Sequence, residues 1–585
     1  MTKKVRILFG FCIAIMLIAV AWYFFFTVEV ETVFVNGKVY TMDDDLRVAE
    51  AIAVDHGKIA GVGSTSSMTR RFTAKTTIDL QGKSVLPGLI DAHAHFLSLG
   101  IARMTVDLAG AASEQEAAQR VKARVAKVQK DQWIRGRGWD QNLWKSRKFP
   151  SHRMLDGVTP QNPVFLRRVD GHACWVNAEA LKMAGIAKEM KDPPGGKIAR
   201  DASGNATGVF IDAAMDLVAR HLPPLSDAES REALDLAVKE CLSYGITSVQ
   251  DMGVEMREID LYKKAIDERK LPIRIYAAVG GVGETWDAFL KSGPLLGYGD
   301  NRLTVRALKL YIDGALGSRG AALIEPYSDD PGNRGLTMSS DEELTKAVED
   351  ALTHGFQVCT HAIGDRGNNI ILNVYEAALK RHPVPDHRLR VEHAQVLERG
   401  DIPRFKQLGV LPSMQPTHCT SDMYWAEARL GPRRVRGAYA WRSLLQTGVI
   451  IPGGSDFPVE DPNPLLGIYA AVTRKDRQGR PLSAEQVKAQ FQLSPDGLAD
   501  STSFNDGWYG NEKMTREEAV KSFTRWAAFA EFAEGVKGSL EKGRLADFVV
   551  FSADVMKVPA KDLPGISVEM TVVGGETVYR KSKPL

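Results

Sequence analysis

His93 and His95, in Pro87-Gly88-Leu89-Ile90-Asp91-Ala92-His93-Ala94-His95, are one residue apart at the end of an apolar run. In an extended chain alternate side chains share a face, so the two imidazoles project the same way and can offer two nitrogens to one cation. An H-x-H pair alone is a weak signal, because such pairs arise by chance in loops. It gains weight when other apolar segments also end in ligand-type residues, and four do. Lys309 lies in Leu308-Lys309-Leu310-Tyr311-Ile312-Asp313, and His361 in Thr360-His361-Ala362-Ile363-Gly364-Asp365. His393 lies in Val391-Glu392-His393-Ala394-Gln395, and Asp456 in Gly453-Gly454-Ser455-Asp456-Phe457-Pro458. Lys309 is the hardest to explain as structural, since an amine inside an apolar strand carries a desolvation cost unless it is paired or neutralised.

Apolar strand-like runs position these residues: Val85 to Ile90, Ile246 to Gln250, Ile273 to Val279, Leu303 to Ile312, Phe356 to Thr360, Leu389 to Val391, Val410 to Met414 and Val449 to Ile451. Helical stretches alternate with them, and Ala233 to Tyr244 and Glu342 to His354 have the spacing of outer helices. Eight strands alternating with helices predict an α/β fold, a closed (β/α)8 TIM barrel whose C-terminal strand ends form one shared mouth. The interval from about residue 99 to 244 is too long for one crossover and reads as an insertion over that mouth, after the first strand. Within it, Trp133 to Gly136 and Val164 to Arg167 are strand-like, and Asp201 to Asn205 is a hairpin turn. Trp139, Asp140 and Trp175 are candidates to line the pocket, although large aromatics in an insertion are more often simple packing.

Residues 28–86 and 537–585 share a different texture, short strands with Asn-Gly, His-Gly and Gly-Gly turns. Short sheets need another sheet to cover their apolar face, so the two chain ends are expected to form one small β-sandwich. The barrel then spans 87–536, insertion included.

The 585 residues carry a net charge of +3, with 44% hydrophobic and 25% charged residues, an ordinary globular balance that offers nucleic acid no special attraction. Cys12, Cys174, Cys241, Cys359 and Cys419 include no C-x-x-C pair, which excludes a zinc finger and a disulfide framework of that type. Residues 1–27 form a candidate transmembrane anchor or signal segment. Lys3, Lys4 and Arg6 precede Ile7 to Phe26, about twenty residues without a charge. The positive flank predicts a membrane-anchored protein with an extracytoplasmic catalytic part, periplasmic or extracellular. Secretion after cleavage near Ala19-Val20-Ala21 is the alternative.

Taken together, the segments around His93 and His95, Lys309 through Arg319, Thr360 through Asp365, Val391 through Ala394 and Gly453 through Pro458 resemble the amidohydrolase superfamily. The closest likeness is to the amidohydrolase family 3 branch containing N-substituted formamide deformylase-like enzymes. Arg168-Val169-Asp170-Gly171-His172 and Gly538 through Phe548 also resemble that branch. The resemblance implies a divalent metal centre of one or two ions, zinc by the softness of the donors. In it His93 and His95 hold one ion, His361 and His393 the other, and Lys309, carried as N6-carboxylysine, bridges them. Asp456 would contact a metal and manage the proton of the attacking water, and His172 would orient the substrate carbonyl. No other cofactor is implied.

The implied reaction is hydrolysis of a non-peptide, amide-like C–N bond in a small molecule by a metal-activated hydroxide. The same fold can also run ester or lactone hydrolysis, deacetylation or isomerisation, or serve as a binding protein without catalysis. The expected partners are that small-molecule substrate, the membrane through the N-terminal helix, and a second copy of the chain in a homodimer.

Overall fold

The computed structural model describes residues 27–126, 128–480 and 506–581, with positions 13 and 16. Seven strands stand side by side in chain order, all parallel: β1 (Leu89–Ala94), β2 (Ile246–Val254), β3 (Arg274–Gly280), β4 (Leu303–Tyr311), β5 (Gln357–Ala362), β6 (Arg390–His393) and β7 (Leu411–Ser413). A short segment closes the ring between β7 and β1. On one side Met414 N donates to Pro452 O at 3.0 Å and Gly454 N to Met414 O at 3.2 Å; on the other, Ala92 N donates to Gly453 O at 3.0 Å. This is a TIM barrel of the α/β class, as its sequence predicts.

The eighth stave falls slightly later than the expected Val449 to Ile451 and makes only a single parallel bridge, Met414 to Gly453. Pro452 has no N–H to give a ladder. Gly454 lies so close to β1 that a Cβ there would sit 2.6 Å from His93 N, a distance no side chain tolerates.

The outer helices follow from caps and periodicity. Asp227–Ser243 starts at a Ser226/Glu229 capping box and buries Ala233, Leu234, Ala237, Val238 and Cys241 on one face. Asp341–Thr353 starts at a Ser340/Glu343 box and buries Leu344, Ala347, Val348, Ala351 and Leu352. Each cap contributes about 1 kcal/mol. Each fully buried leucine or valine contributes roughly 1.5–3 kcal/mol, so packing of the apolar face decides where these helices sit.

The apolar run from Val85 to Ile90 is two strands, not one. Ser84–Pro87 pairs antiparallel with Phe548–Phe551 and parallel with Lys38–Tyr40, in a six-stranded sheet built from both ends of the chain. After Gly88 the chain enters the barrel, and Gly88 is required there because a Cβ would come within 2.1 Å of Thr247 Oγ1. A four-stranded sheet of Lys58–Gly63, Ala51–Asp55, Val28–Val35 and Phe72–Asp79 faces the first. The two share a core in which Phe34 and Phe548 meet edge to face at 4.8 Å. Asp547, fully buried, ties this unit to β3 through Arg274, with Nε to Oδ2 at 2.6 Å and Nη2 to Oδ1 at 2.9 Å.

Between β1 and β2 the chain forms another six-stranded sheet, in spatial order Gly196–Arg200, Ala206–Asp212, Ala173–Val176, Val164–Arg168, Ile134–Trp139 and Val106–Asp107. Trp139, Trp144 and Trp175 fill the core on one of its faces, so Trp139 and Trp175 are packing residues and only Asp140 reaches the pocket. The other face is packed by Phe165, Phe210 and Val218.

The expected N-terminal span, Ile7 to Phe26, lies outside the described residues apart from positions 13 and 16. Among the described residues no helix is long and apolar enough to cross a membrane. The expectation of a membrane-anchored, extracytoplasmic protein, with the membrane as a partner, is accordingly corrected: no described element carries it. The four described cysteines are free and buried.

Candidate metal centre at the barrel mouth

All six ligand-type side chains come from the C-terminal ends of staves and meet at one rim. His93 comes from β1 and His95 from the residue just after it, Lys309 from β4, His361 from β5, His393 from β6 and Asp456 from the closing loop. Lys309 Nζ is 3.5 Å from His93 Nε2. Asp456 Oδ1 is 3.6 Å from His93 Nε2 and 3.3 Å from His95 Nε2. The His393 ring centroid lies 4.7 Å from that of His93 and 4.6 Å from that of His361. One donor atom from each of His93, His393 and Asp456 falls within 4.8 Å of the others.

These spacings fit a set of donors converging on a cation. Two further observations agree. Asp456 Oδ1 and His361 Nε2 are buried and make no well-formed hydrogen bond, their charged neighbours being His95 Nε2 at 3.3 Å and Asp313 Oδ1 at 3.5 Å, although a buried polar atom left unpaired costs on the order of 1–3 kcal/mol. His93, His361 and His393 are held well below the ordinary imidazole value, first by burial and then by the neighbouring cationic groups. That favours neutral rings with a lone pair free to coordinate. Four imidazoles, a carboxylate and a lysine are a donor set for a borderline divalent ion.

The backbone around these side chains is strained and firmly held. His393 and Asp456 have φ of 73° and 58°, in the left-handed region that costs a non-glycine residue about 1–2 kcal/mol. Asp91 holds the loop in place: its Oδ1 accepts from His93 N and Ser455 N, each at 3.1 Å, and Ser455 Oγ donates to its Oδ2 at 2.6 Å. Asp456 N also donates to His93 O at 2.8 Å. β1 and the Asp456 loop therefore move as one body.

The outer contacts fix ring orientation. Glu392 Oε2 is 2.5 Å from His93 Nδ1, and Gln415 Oε1 is 2.8 Å from His393 Nδ1, so in each ring Nε2 is left to face the centre. Glu392 is held in turn by Arg390, with Nε to Oε1 at 2.7 Å, and all three residues are fully buried. His172, expected on the insertion, does reach the rim: its ring lies 5.1 Å from that of His361, and its Nδ1 is 2.7 Å from Asp212 Oδ1. Burial alone would lower His172, but the Asp212 hydrogen bond and charge outweigh it and raise its pKa.

Sequence reading misses His418. Its Nε2 is 3.7 Å from Asp456 Oδ2, and its ring stacks on His393 at 5.9 Å. No candidate came from the seventh strand, yet His418 follows that strand in Gln415-Pro416-Thr417-His418, and the same strand-end rule would have found it. Glu392 and Asp212 also escape notice, because nothing local marks an acid that serves a histidine far away in the chain.

Comparison with known proteins agrees with this architecture. The amidohydrolase family model matches residues 76–579. YtcJ of Bacillus subtilis (strain 168) is 34% identical over 560 residues, covering 94% of this chain and 99% of its own. The N-substituted formamide deformylase of Arthrobacter pascens is 27% identical over 571 residues, covering 94% and 98%. The crystal structure of an uncharacterized metal-dependent hydrolase from Pyrococcus horikoshii superposes with a TM-score of 0.70 at 26% identity, over 90% of this chain and 99% of that one. The chain belongs to the amidohydrolase family, and it is a hydrolase acting on carbon–nitrogen bonds.

Proposed function

We propose that this enzyme cleaves the non-peptide C–N bond of a small amide-like substrate, with His93, His95, Lys309, His361, His393 and Asp456 holding one or two zinc ions. The observation that carries this reading is the convergence of six side chains from five strand ends on one rim, with buried donor atoms that make no well-formed hydrogen bond. When bound, the metal supplies an acidified water and polarises the scissile carbonyl.

Each residue's part follows from its surroundings. Burial lowers Lys309, which favours the neutral amine. The neutral amine is the form that adds carbon dioxide, releasing a proton, and the resulting N6-carboxylate would offer oxygen ligands to a metal held there. Asp456, beside His93 and His95, takes the proton of the attacking water and returns it to the departing amine. His172, held by Asp212, donates from Nε2 toward the substrate carbonyl oxygen. The rim of the barrel and the sheet above it enclose this chemistry in a cavity of about 560 Å³ lined by His93, Lys309, His361, His393 and Asp456.

The test is to strip the purified protein with chelator, reload it with zinc, and screen N-formyl, N-acyl and cyclic amides. Release of amine that disappears on stripping and returns on reloading is the expected result. Amide hydrolysis indifferent to chelation, or activity confined to esters, would overturn the reading.

A further inference from the structure

The sheet that roofs the cavity carries three arginines on its inner face. Arg135 and Arg137 are two residues apart on Ile134–Trp139 and so share a face, and Arg167, on the neighbouring strand, is the register partner of Arg137. All three line the same cavity as His93, Lys309, His361 and Asp456. Among the described residues none of the three forms an ion pair.

Arg135 and Arg137 are partly engaged by backbone carbonyls, of Pro223 and Val169 respectively. The buried Nη1 of Arg137 has no partner. Among the described residues the Arg167 guanidinium has no hydrogen-bond or ion-pair partner at all. Placing like charges opposite each other on adjacent strands is unfavourable, and leaving a buried guanidinium N–H unpaired adds to that cost.

Glu229 acts on Arg135, and Asp456 and Asp170 on Arg137, through charge alone and without an ion pair. Asp170 is paired with Arg168, Asp212 with His172, and Asp456 faces the histidines. The remaining acid, exposed Asp216, comes within ion-pair distance of none of the three arginines. The arm of the cavity that opens toward Asp422 and Glu460 is different. There Asp140 pairs with Arg168 and Asp461 with Arg477, while Asp422 and Glu460 are bonded to Tyr439 and Ser421. Among the described residues, the guanidinium cations that line this cavity without an ion pair are on the roof.

We infer that the roof is a subsite for a carboxylate, and that the substrate is an amide bearing a negatively charged carboxylate, which Arg137 and Arg167 grip while the scissile bond lies at the rim. This rests on the hydrolase reading above and adds the class of substrate. The forked guanidinium matches a carboxylate's two oxygens, and a cavity wall of low dielectric strengthens the contact. Burial first, and the charge of Arg167 next, bring Arg137 down to about 10.

The test uses zinc-loaded enzyme and two matched probe pairs: N-benzoylglycine against N-benzoylglycinamide, with the carboxylate on the amine side, and N-benzylsuccinamic acid against its primary amide, with it on the acyl side. Equilibrium binding by calorimetry is read beside hydrolysis. In at least one pair the acid is expected to bind about tenfold or more tightly than its amide. In Arg167→Gln, an exposed position that leaves the fold intact, and in Arg137→Gln, that preference shrinks while affinity for the neutral amide stays.

No preference in either pair would overturn the subsite. So would a preference that survives in the double variant, since the carboxylate would then be on the metal. Arg167→Lys, which keeps the charge and loses the fork, is expected to fall between wild type and Arg167→Gln. Because binding is read separately from turnover, loss of hydrolysis with the preference intact would count against the hydrolase reading alone.

Discussion

Glu392 and His93 are 299 positions apart in the chain, both fully buried, and joined Oε2 to Nδ1 at 2.5 Å. The bond links β6 to β1 beneath the rim and commits His93 to offering Nε2 to the centre. Removing the charge while keeping the shape, in Glu392→Gln, is expected to weaken zinc binding about 10- to 100-fold. The measurement is a competition titration against a chelator of known affinity. Unchanged affinity would reduce Glu392 to a structural partner of Arg390.

Lys309→Ala removes the proposed bridge, whose Nζ lies 3.5 Å from His93 Nε2. Metal content per chain is expected to fall by one ion or more, with loss of activity. Short carboxylates such as acetate or propionate are expected to restore part of both, since they place an oxygen ligand where the carbamate stood. Mass measurement of the intact zinc-loaded protein under carbon dioxide supplies an independent reading of the carboxylated lysine. Full zinc content and activity without Lys309 would remove it from the centre.

Asp456→Asn keeps the volume and one acceptor oxygen but loses the base. Turnover is expected to drop about 10²- to 10⁴-fold with zinc retained. The check is kcat and metal content on the same preparation. A parallel fall in both would make Asp456 a ligand first and a proton carrier second.

Away from the centre, Asp547 and Arg274 join the terminal sheets to the barrel. Burial would raise Asp547, but the charge and hydrogen bonds of Arg274 outweigh it and hold the carboxyl below its ordinary value. A depressed acid contributes stability that is complete above its unfolded value, about 3.9, and that is lost as pH falls through the folded one. Asp547→Ala, which leaves Arg274 buried and unpaired, is expected to cost about 3–5 kcal/mol at neutral pH. Thermal melts of the two proteins should converge as the pH drops below about 4. A difference independent of pH would place the cost in packing.

Much of this was open to reading in the chain itself, because strand ends in a barrel turn sequence order into shared location. His93, His361 and His393 each sit at the foot of an apolar run, and the runs announce the staves. The eighth stave was misplaced by a few residues because Pro452-Gly453-Gly454 holds its place by close approach to β1, and no apolar pattern records that. Trp139 and Trp175 pack in a core, as large aromatics in an insertion more often do, but sequence alone leaves the pocket open to them because an aromatic residue looks the same whether it faces a cavity or a core. The Glu392 and Asp212 contacts were invisible for a simpler reason: each is set by tertiary geometry between segments that no local pattern connects.

The join at Gly88 has one more implication. The strand before it is locked in register with Phe548–Phe551, and the strand after it carries the first two imidazoles, with no slack between. Inserting or deleting a single residue here would shift the segment by one position and take His93 out of its place at the mouth. Phe548–Phe551 thus keep the phase of a candidate metal-binding segment more than four hundred positions upstream.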